Sequence, residues 1–87
     1  MRKIKLVDGT IYTVDRCGAD GGILSINVVS EKLVDLVPVF ADPEKTAIIE
    51  HYFDGTETDH VFYKSYTQLV GAGVTNTGTT VFLSQNN

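Results

Sequence analysis

The chain has 87 residues, of which 43% are hydrophobic and 21% are charged. This length fits one small domain, and the composition excludes wholesale disorder, collagen-like repeats and a disulfide-dense scaffold. Seven basic against eleven acidic side chains give a formal net charge of -4, which disfavours a protein that neutralises the phosphates of DNA or RNA.

The cysteine count indicates the redox environment of the protein, and the apolar segments indicate whether it is targeted to a membrane. Cys17 is the only cysteine, so no disulfide can form within the chain, which suits a reducing cytoplasm. The N-terminal residues are basic, but Asp8 and Gly9 interrupt the apolar run that a secretory signal peptide needs. The apolar stretch 33–41 is broken by a charge and a proline and is far shorter than the roughly 18 residues of a membrane span. We therefore expect neither a signal peptide nor a membrane segment.

The first elements are predicted to be a β-hairpin. Apolar and polar residues alternate on either side of Asp8-Gly9, a dipeptide that tolerates the positive φ angles of a two-residue primed turn. This pattern predicts a hairpin over residues 3–14, in which Leu6 faces Ile11.

A turn and a third strand follow. The glycine-rich segment 18–22 predicts a turn, after which Leu24, Ile26 and Val28 alternate with polar residues. Such alternation is typical of a half-buried strand, so the first half of the chain is predicted to be a three-strand meander.

One amphipathic helix is predicted next. Ser30 is placed as its N-cap, with Glu31 in the first turn. The apolar residues at helical spacing are Leu33, Val34, Leu36, Val37 and Phe40. Pro38 lacks a backbone donor, so we expect the helix to stop or kink near Val37.

The second half is predicted to form three more strands, at residues 48–53, 60–69 with a bend or bulge at 70–74, and 80–85. A turn of helix at Asp42-Pro43-Glu44, a polar loop at 54–59 and a turn at 76–78 connect them. The expected fold class is α+β, mostly β, in a single domain 1–87. About six antiparallel strands, arranged as a three-strand meander, one helix and a second three-strand meander, form a sheet or small open barrel packed on the helix.

No sequence pattern indicates catalysis or a cofactor. His51 and His60 flank the polar loop and have a spacing that permits a metal site, but a packed strand histidine is the better interpretation. The glycines at 71–73 are not followed by a helix, as a dinucleotide fingerprint requires. We expect a non-enzymatic protein with no catalytic residue, no cofactor and no metal.

The candidate interface residues are aromatic or acidic. Aromatic side chains supply flat apolar surface, which partner contacts favour, and adjacent strand residues such as Phe62 and Tyr63 lie on opposite faces, so one of them should face outward. The acids of the polar loop form a patch that a basic partner would match. The full candidate set is Tyr12, Phe62, Tyr63, Tyr66, Asp54, Glu57 and Asp59.

Several segments together resemble a phage protein family. These are Ile-Lys-Leu-Val-Asp-Gly-Thr-Ile-Tyr at 4–12, Val-Phe-Ala-Asp-Pro-Glu-Lys-Thr at 39–46, Tyr66-Thr67 and Val-Phe-Leu-Ser-Gln at 81–85. The chain resembles, over almost its whole length, small uncharacterised proteins encoded among the tail and baseplate genes of phages and prophages of Clostridia-like Firmicutes. The resemblance implies a location in the virion or the host bacterial cytoplasm and brings no catalytic residue.

Two functions follow as expectations. The first is a non-enzymatic interaction and assembly module, a tail or baseplate accessory that presents strand edges and tyrosines to a second copy or to another virion protein. The alternative is a counter-defence inhibitor that binds a host immune protein or its nucleotide signal. Neither involves direct binding of nucleic acid or a membrane.

Overall fold

The computed structural model describes residues 2–42, 48–53, 56–57 and 65–85. The elements are β1 (Arg2–Leu6), β2 (Ile11–Asp20), β3 (Ile23–Val29), α1 (Leu33–Phe40), β4 (Ile48–Phe53), β5 (Thr56–Glu57), β6 (Tyr66–Val74) and β7 (Gly78–Gln85). All strand pairings are antiparallel and join the strands into one sheet. α1 packs against β6 and β7. The predicted fold class is confirmed: the chain is mostly β, and its antiparallel sheet packs on one helix.

The strand order differs from the prediction of two three-strand meanders that follow one another. It is β5-β4-β1-β2-β3-β7-β6, so the predicted meander β1-β2-β3 lies at the centre. The second half does not form a meander of its own, because its two hairpins occupy opposite edges of the central one. β4 and β5 continue the sheet beside β1, while β7 and β6 continue it beside β3.

The first hairpin is confirmed, but its register is shifted by one residue. Ile11 pairs with Lys5, and the Leu6 N–H donates to the Thr10 carbonyl over 2.8 Å, so the loop has three residues rather than two. Gly9 has φ +93°, as the last residue of a three-residue loop requires. The shift places Ile11 on the outer face, where it is 50% exposed, and the expectation that it faces Leu6 is wrong.

A two-residue turn occurs at the next connection instead. Gly21 and Gly22 have φ of 60° and 80°, the positive values that a primed turn needs at both positions. β2 continues to Asp20, which pairs with Ile23, so the turn begins later than residue 18. The predicted apolar face of β3 is confirmed, since Leu24, Ile26 and Val28 are fully buried.

The helix begins and ends later than predicted. Its N-cap is Lys32, which makes no side-chain capping bond, while Ser30 has φ 64° and donates its N–H to the Thr77 carbonyl. Of the two outcomes predicted near Val37, a stop or a kink, the stop is wrong, because Pro38 lies inside the helix. Proline deprives the carbonyl four residues earlier of a donor, but that residue, Val34, is 74% exposed, so water can satisfy its carbonyl.

The core lies between the helix and one face of the sheet. From the helix, Leu36 and Phe40 are fully buried. The strands add Ile4, Leu6, Val14, Cys17, Leu24, Ile26, Val28, Tyr66, Val81 and Leu83. Burial of these apolar side chains is the main favourable term in the fold. Within the described ranges, no helix has the length and apolarity that a bilayer crossing needs.

The last hairpin agrees with its prediction. Val81 and Leu83 are buried on one face of β7. Register shifts in β6 leave Thr67 and Val70 as extra residues, and Val70 lies within the segment 70–74, where a bend or bulge was predicted.

The predicted polar loop 54–59 contains the short strand β5, in which a β-branched threonine favours strand structure. The predicted helical turn at Pro43-Glu44 and the strand residues 60–64 lie outside the described residues.

Candidate functional site

Asn27, at the centre of the sheet, is a buried polar residue on its outer face. Asn27 lies between Ile26 and Val28, whose side chains face the core, so its own side chain points to the opposite face. It is nevertheless only 6% exposed. Buried amides are stable only when they are hydrogen-bonded, and the neighbours of Asn27 satisfy this condition.

Every polar hydrogen and oxygen of the Asn27 amide has a partner. Its Nδ2 donates to Asp15 Oδ1 and to Thr77 Oγ1. Its Oδ1 accepts hydrogen bonds from the hydroxyls of Thr75 at 2.6 Å and Thr80 at 2.8 Å. We call these five residues the Asn27 network. It joins three strands and the loop between β6 and β7 through one side chain.

A β-bulge places Asp15 and Arg16 on the same face. Val14 pairs with Val28 and Arg16 pairs with Asn27, so Asp15 is the extra residue of β2. Successive residues of a regular strand point to opposite faces, whereas a bulge changes the direction of the extra side chain. The acidic and the basic side chain therefore both reach the outer face beside Asn27.

The network keeps Asp15 ionised. Hydrogen bonds from Asn27 and Thr77 lower the pKa of the Asp15 carboxyl, and the nearby Arg16 charge lowers it further. Hydrogen bonds to the charged form of an acid favour that form. At neutral pH the outer face thus presents a fixed carboxylate next to a guanidinium.

A polar pocket of about 310 Å³ opens above the network. In the part of the chain that the structure describes, the side chains of Arg16 and Asn76 make no hydrogen bond or ion pair, so both retain side-chain donors for a ligand. The residues that line this pocket are Asp15, Arg16, Asn27, Thr75, Asn76, Thr77 and Thr80. We refer to it as the Asn27 pocket.

A second surface is the edge of the sheet at β6. Among the described strands, β6 pairs only with β7, and its nine residues include no charge. Val70 is 57% exposed and Val74 is 75% exposed. A groove of about 450 Å³ runs along Thr67–Val70 and the end of the helix at Ala41. The Thr67 hydroxyl beside this groove is buried and makes no hydrogen bond to any residue that the structure describes.

The structure places two of the predicted interface tyrosines. Tyr12 is half-buried, its ring centroid lies 6.2 Å from that of Phe40, and burial, followed by the charges of Glu31 and Asp8, raises the pKa of its phenol. Tyr66, also a candidate interface residue, is only 7% exposed, so little of its side chain is open to a partner. It belongs to the core because its position on β6 faces inward.

Of the remaining predicted site residues, Glu57 and His51 lie in described strands, β5 and β4, at the end of the sheet opposite β6. Glu57 lies in β5, where its backbone pairs with Tyr52. His51 lies in β4 opposite Ile4. No group of three or more metal-binding side chains occurs among the described residues. Asp54, Asp59, Phe62, Tyr63 and His60 lie outside the described residues.

Sequence reasoning missed the Asn27 network and the Asn27 pocket. Asn27 follows the polar alternation of its strand, which is the ordinary pattern of a solvent-facing position. The available signal was the concentration of Thr and Asn at residues 75–80, side chains that hydrogen-bond locally and stabilise turns. No protein-family model, curated protein or solved structure significantly matches this chain.

Proposed function

We propose that this protein is a non-enzymatic interaction module that self-associates through β6, and that it serves as an accessory of a phage tail or baseplate. The observation that carries self-association is the long, uncharged edge strand β6. The resemblance of residues 4–12, 39–46 and 81–85 to phage-encoded proteins supports the assignment to a tail or baseplate.

Along its outer side, β6 pairs with no other described strand, and such an edge favours pairing with another strand. Its backbone N–H and C=O groups on the outer side can extend the sheet. Natural proteins protect such edges with charged residues, proline or β-bulges. β6 contains no charge and no proline, and its two bulges lie before the regular residues 71–74. The exposed side chains of Val70 and Val74 add apolar surface along this edge.

A second copy of the chain is the partner that best fits this edge. The net charge of -4 makes two copies repel each other at most surfaces, but β6 itself is neutral, so this edge can approach its equivalent without like-charge repulsion. Two β6 strands related by a two-fold axis would pair antiparallel, which matches every other pairing in the sheet.

The bulges restrict where the two strands can pair. β6 is irregular at Thr67 and Val70, whereas Gly71–Val74 keeps a regular register with β7. A contact built on about four regular residues is small, so we expect a weak, concentration-dependent dimer rather than an obligate one.

Sedimentation analysis across a concentration series tests self-association. The wild-type protein should shift from monomer to dimer mass as concentration rises. Val74→Lys should abolish the shift, because a charged edge opposes pairing. The matched control is Val34→Lys, which places the same charge on a side chain that is 74% exposed but lies on the helix. A wild-type protein that is monomeric at every soluble concentration contradicts the proposal, as does an equal effect of both variants.

Mass spectrometry of purified virions tests the tail or baseplate role separately. Detection of the protein at a constant ratio to known tail components supports it. Consistent absence from virions, in a host where the protein is expressed, contradicts this part of the proposal. It does not affect the conclusion about self-association, which sedimentation tests separately.

A further inference from the structure

The base of the Asn27 pocket is rigid before any ligand arrives. Asn27 forms four hydrogen bonds that use both hydrogens and the oxygen of its amide, so it has no donor left for a ligand. A saturated network holds its members in fixed rotamers. Ligand contacts must therefore come from the groups at the rim.

Three rim groups have free hydrogen-bonding capacity. Asp15 is exposed and ionised, and a carboxylate can accept about four hydrogen bonds, of which Asn27, Thr77 and the backbone N–H of Asp15 itself use three. Arg16 offers a guanidinium with several donors, and Asn76 offers both a donor and an acceptor. The pocket thus presents acceptors and donors side by side, around a rigid base.

The charges of the rim select against ionic ligands. A cation attracted to Asp15 would be repelled by the adjacent Arg16, and an anion attracted to Arg16 would be repelled by Asp15. For any small ion, the attraction to one of these charges is therefore offset by the repulsion from the other. A neutral ligand meets no such conflict, provided that it can both donate to the carboxylate and accept from the guanidinium.

A polyhydroxylated ligand meets these conditions. Each hydroxyl is both a donor and an acceptor, so neighbouring hydroxyls can bond to Asp15 while others accept from Arg16 and Asn76. The pocket of about 310 Å³ holds the volume of about ten water molecules, enough for one sugar ring. None of the described residues that line it has an aromatic or large aliphatic side chain, which makes an apolar ligand a poor match.

We propose that the Asn27 pocket binds one residue of a neutral carbohydrate, with Asp15 accepting from sugar hydroxyls and Arg16 and Asn76 donating to sugar oxygens. Because the contacts are few and exposed, the affinity for a single sugar should be millimolar. This site is separate from β6, so it does not depend on self-association.

Nuclear magnetic resonance titration with D-glucose and N-acetyl-D-glucosamine tests the proposal. A saturable shift of the amide signals of Thr75–Gly78 and Asp15–Arg16 is expected with at least one sugar. Asn76→Ala and Arg16→Gln should each weaken binding about tenfold, because each removes hydrogen bonds to the ligand. Lys5→Gln is the matched control: it removes the same charge from β1, away from the pocket, and should leave binding unchanged.

Other outcomes overturn the inference. No saturable shift with either sugar excludes a carbohydrate site. Shifts of equal size in wild-type, Asn76→Ala and Arg16→Gln proteins mean that the sugar binds elsewhere. Tighter binding of methylammonium or of inorganic phosphate in the same pocket shows an ion site and contradicts the neutral ligand.

Discussion

Replacing Asn27 by alanine tests whether the network stabilises the fold. Asn27→Ala removes four side-chain hydrogen bonds at a position that is 6% exposed. Each bond contributes about 1 kcal/mol net. Thr75 and Thr77 are exposed and can bond to water instead, so the expected loss is about 2–3 kcal/mol rather than the full sum. For a domain of this size that lowers the Tm by roughly 10–20 °C.

Thermal and urea unfolding followed by circular dichroism measure this loss. Asn76→Ala is the control, because it removes an amide from the same loop that makes no hydrogen bond in the described part of the chain. We expect the control to change stability by less than about 0.5 kcal/mol. If the unfolding midpoints of the two variants coincide, the hydrogen bonds of Asn27 do not stabilise the protein and the reasoning is refuted.

Three further changes test the fold and its charges. Gly78→Ala should destabilise by about 3 kcal/mol in urea unfolding, because its Cβ would overlap the Val28 carbonyl oxygen. Wild-type stability would show that β3 and β7 can move apart at this point without a cost in free energy. Asp15 has a lowered pKa in the folded state, so its stabilising contribution exists above about pH 4, the unfolded value, and is lost as pH falls further. The urea midpoints of wild-type and Asp15→Asn proteins should therefore differ at pH 7 and approach each other as the pH falls below about 4 and the carboxylate is protonated, and parallel pH profiles would contradict the assigned cause. Phe40→Ala should cost about 3–5 kcal/mol, since Phe40 is fully buried and packs on Tyr12; a midpoint close to wild type would show that the helix does not contribute to the core.

The sequence predicts which faces of the strands are buried, because that property depends on neighbours two residues apart. Val81 and Leu83 follow this rule, as does β3, and the structure buries both sets. The register of the β1–β2 hairpin, that is, which residues pair across it, depends instead on the length of the loop between the two strands. A single extra residue before Thr10 was enough to expose Ile11, and alternation alone does not show whether a turn contains two residues or three.

The candidate site could not be predicted because its contacts are distant in sequence. The partners of Asn27 lie 12, 48, 50 and 53 residues away. These residues meet only because the strand order places β7 beside β3. They also depend on the bulge at Asp15, which no residue type in the sequence predicts. The same reasoning explains the error at Ser30, whose backbone is held by the Thr77 carbonyl rather than by the helix.

The β6–β7 hairpin contributes residues to both proposed surfaces, and single substitutions can test the two surfaces independently. Val74 ends β6, and the loop that follows it contributes Asn76 to the pocket. Val74→Lys should prevent dimerisation while leaving the sugar affinity unchanged, because its side chain is exposed at the edge and does not line the pocket. Asn76→Ala should weaken sugar binding while leaving the dimer unchanged. If each variant impaired both properties, the two surfaces would be coupled, and by linkage a bound sugar would then change the dimer constant by the same factor as dimerisation changes sugar affinity.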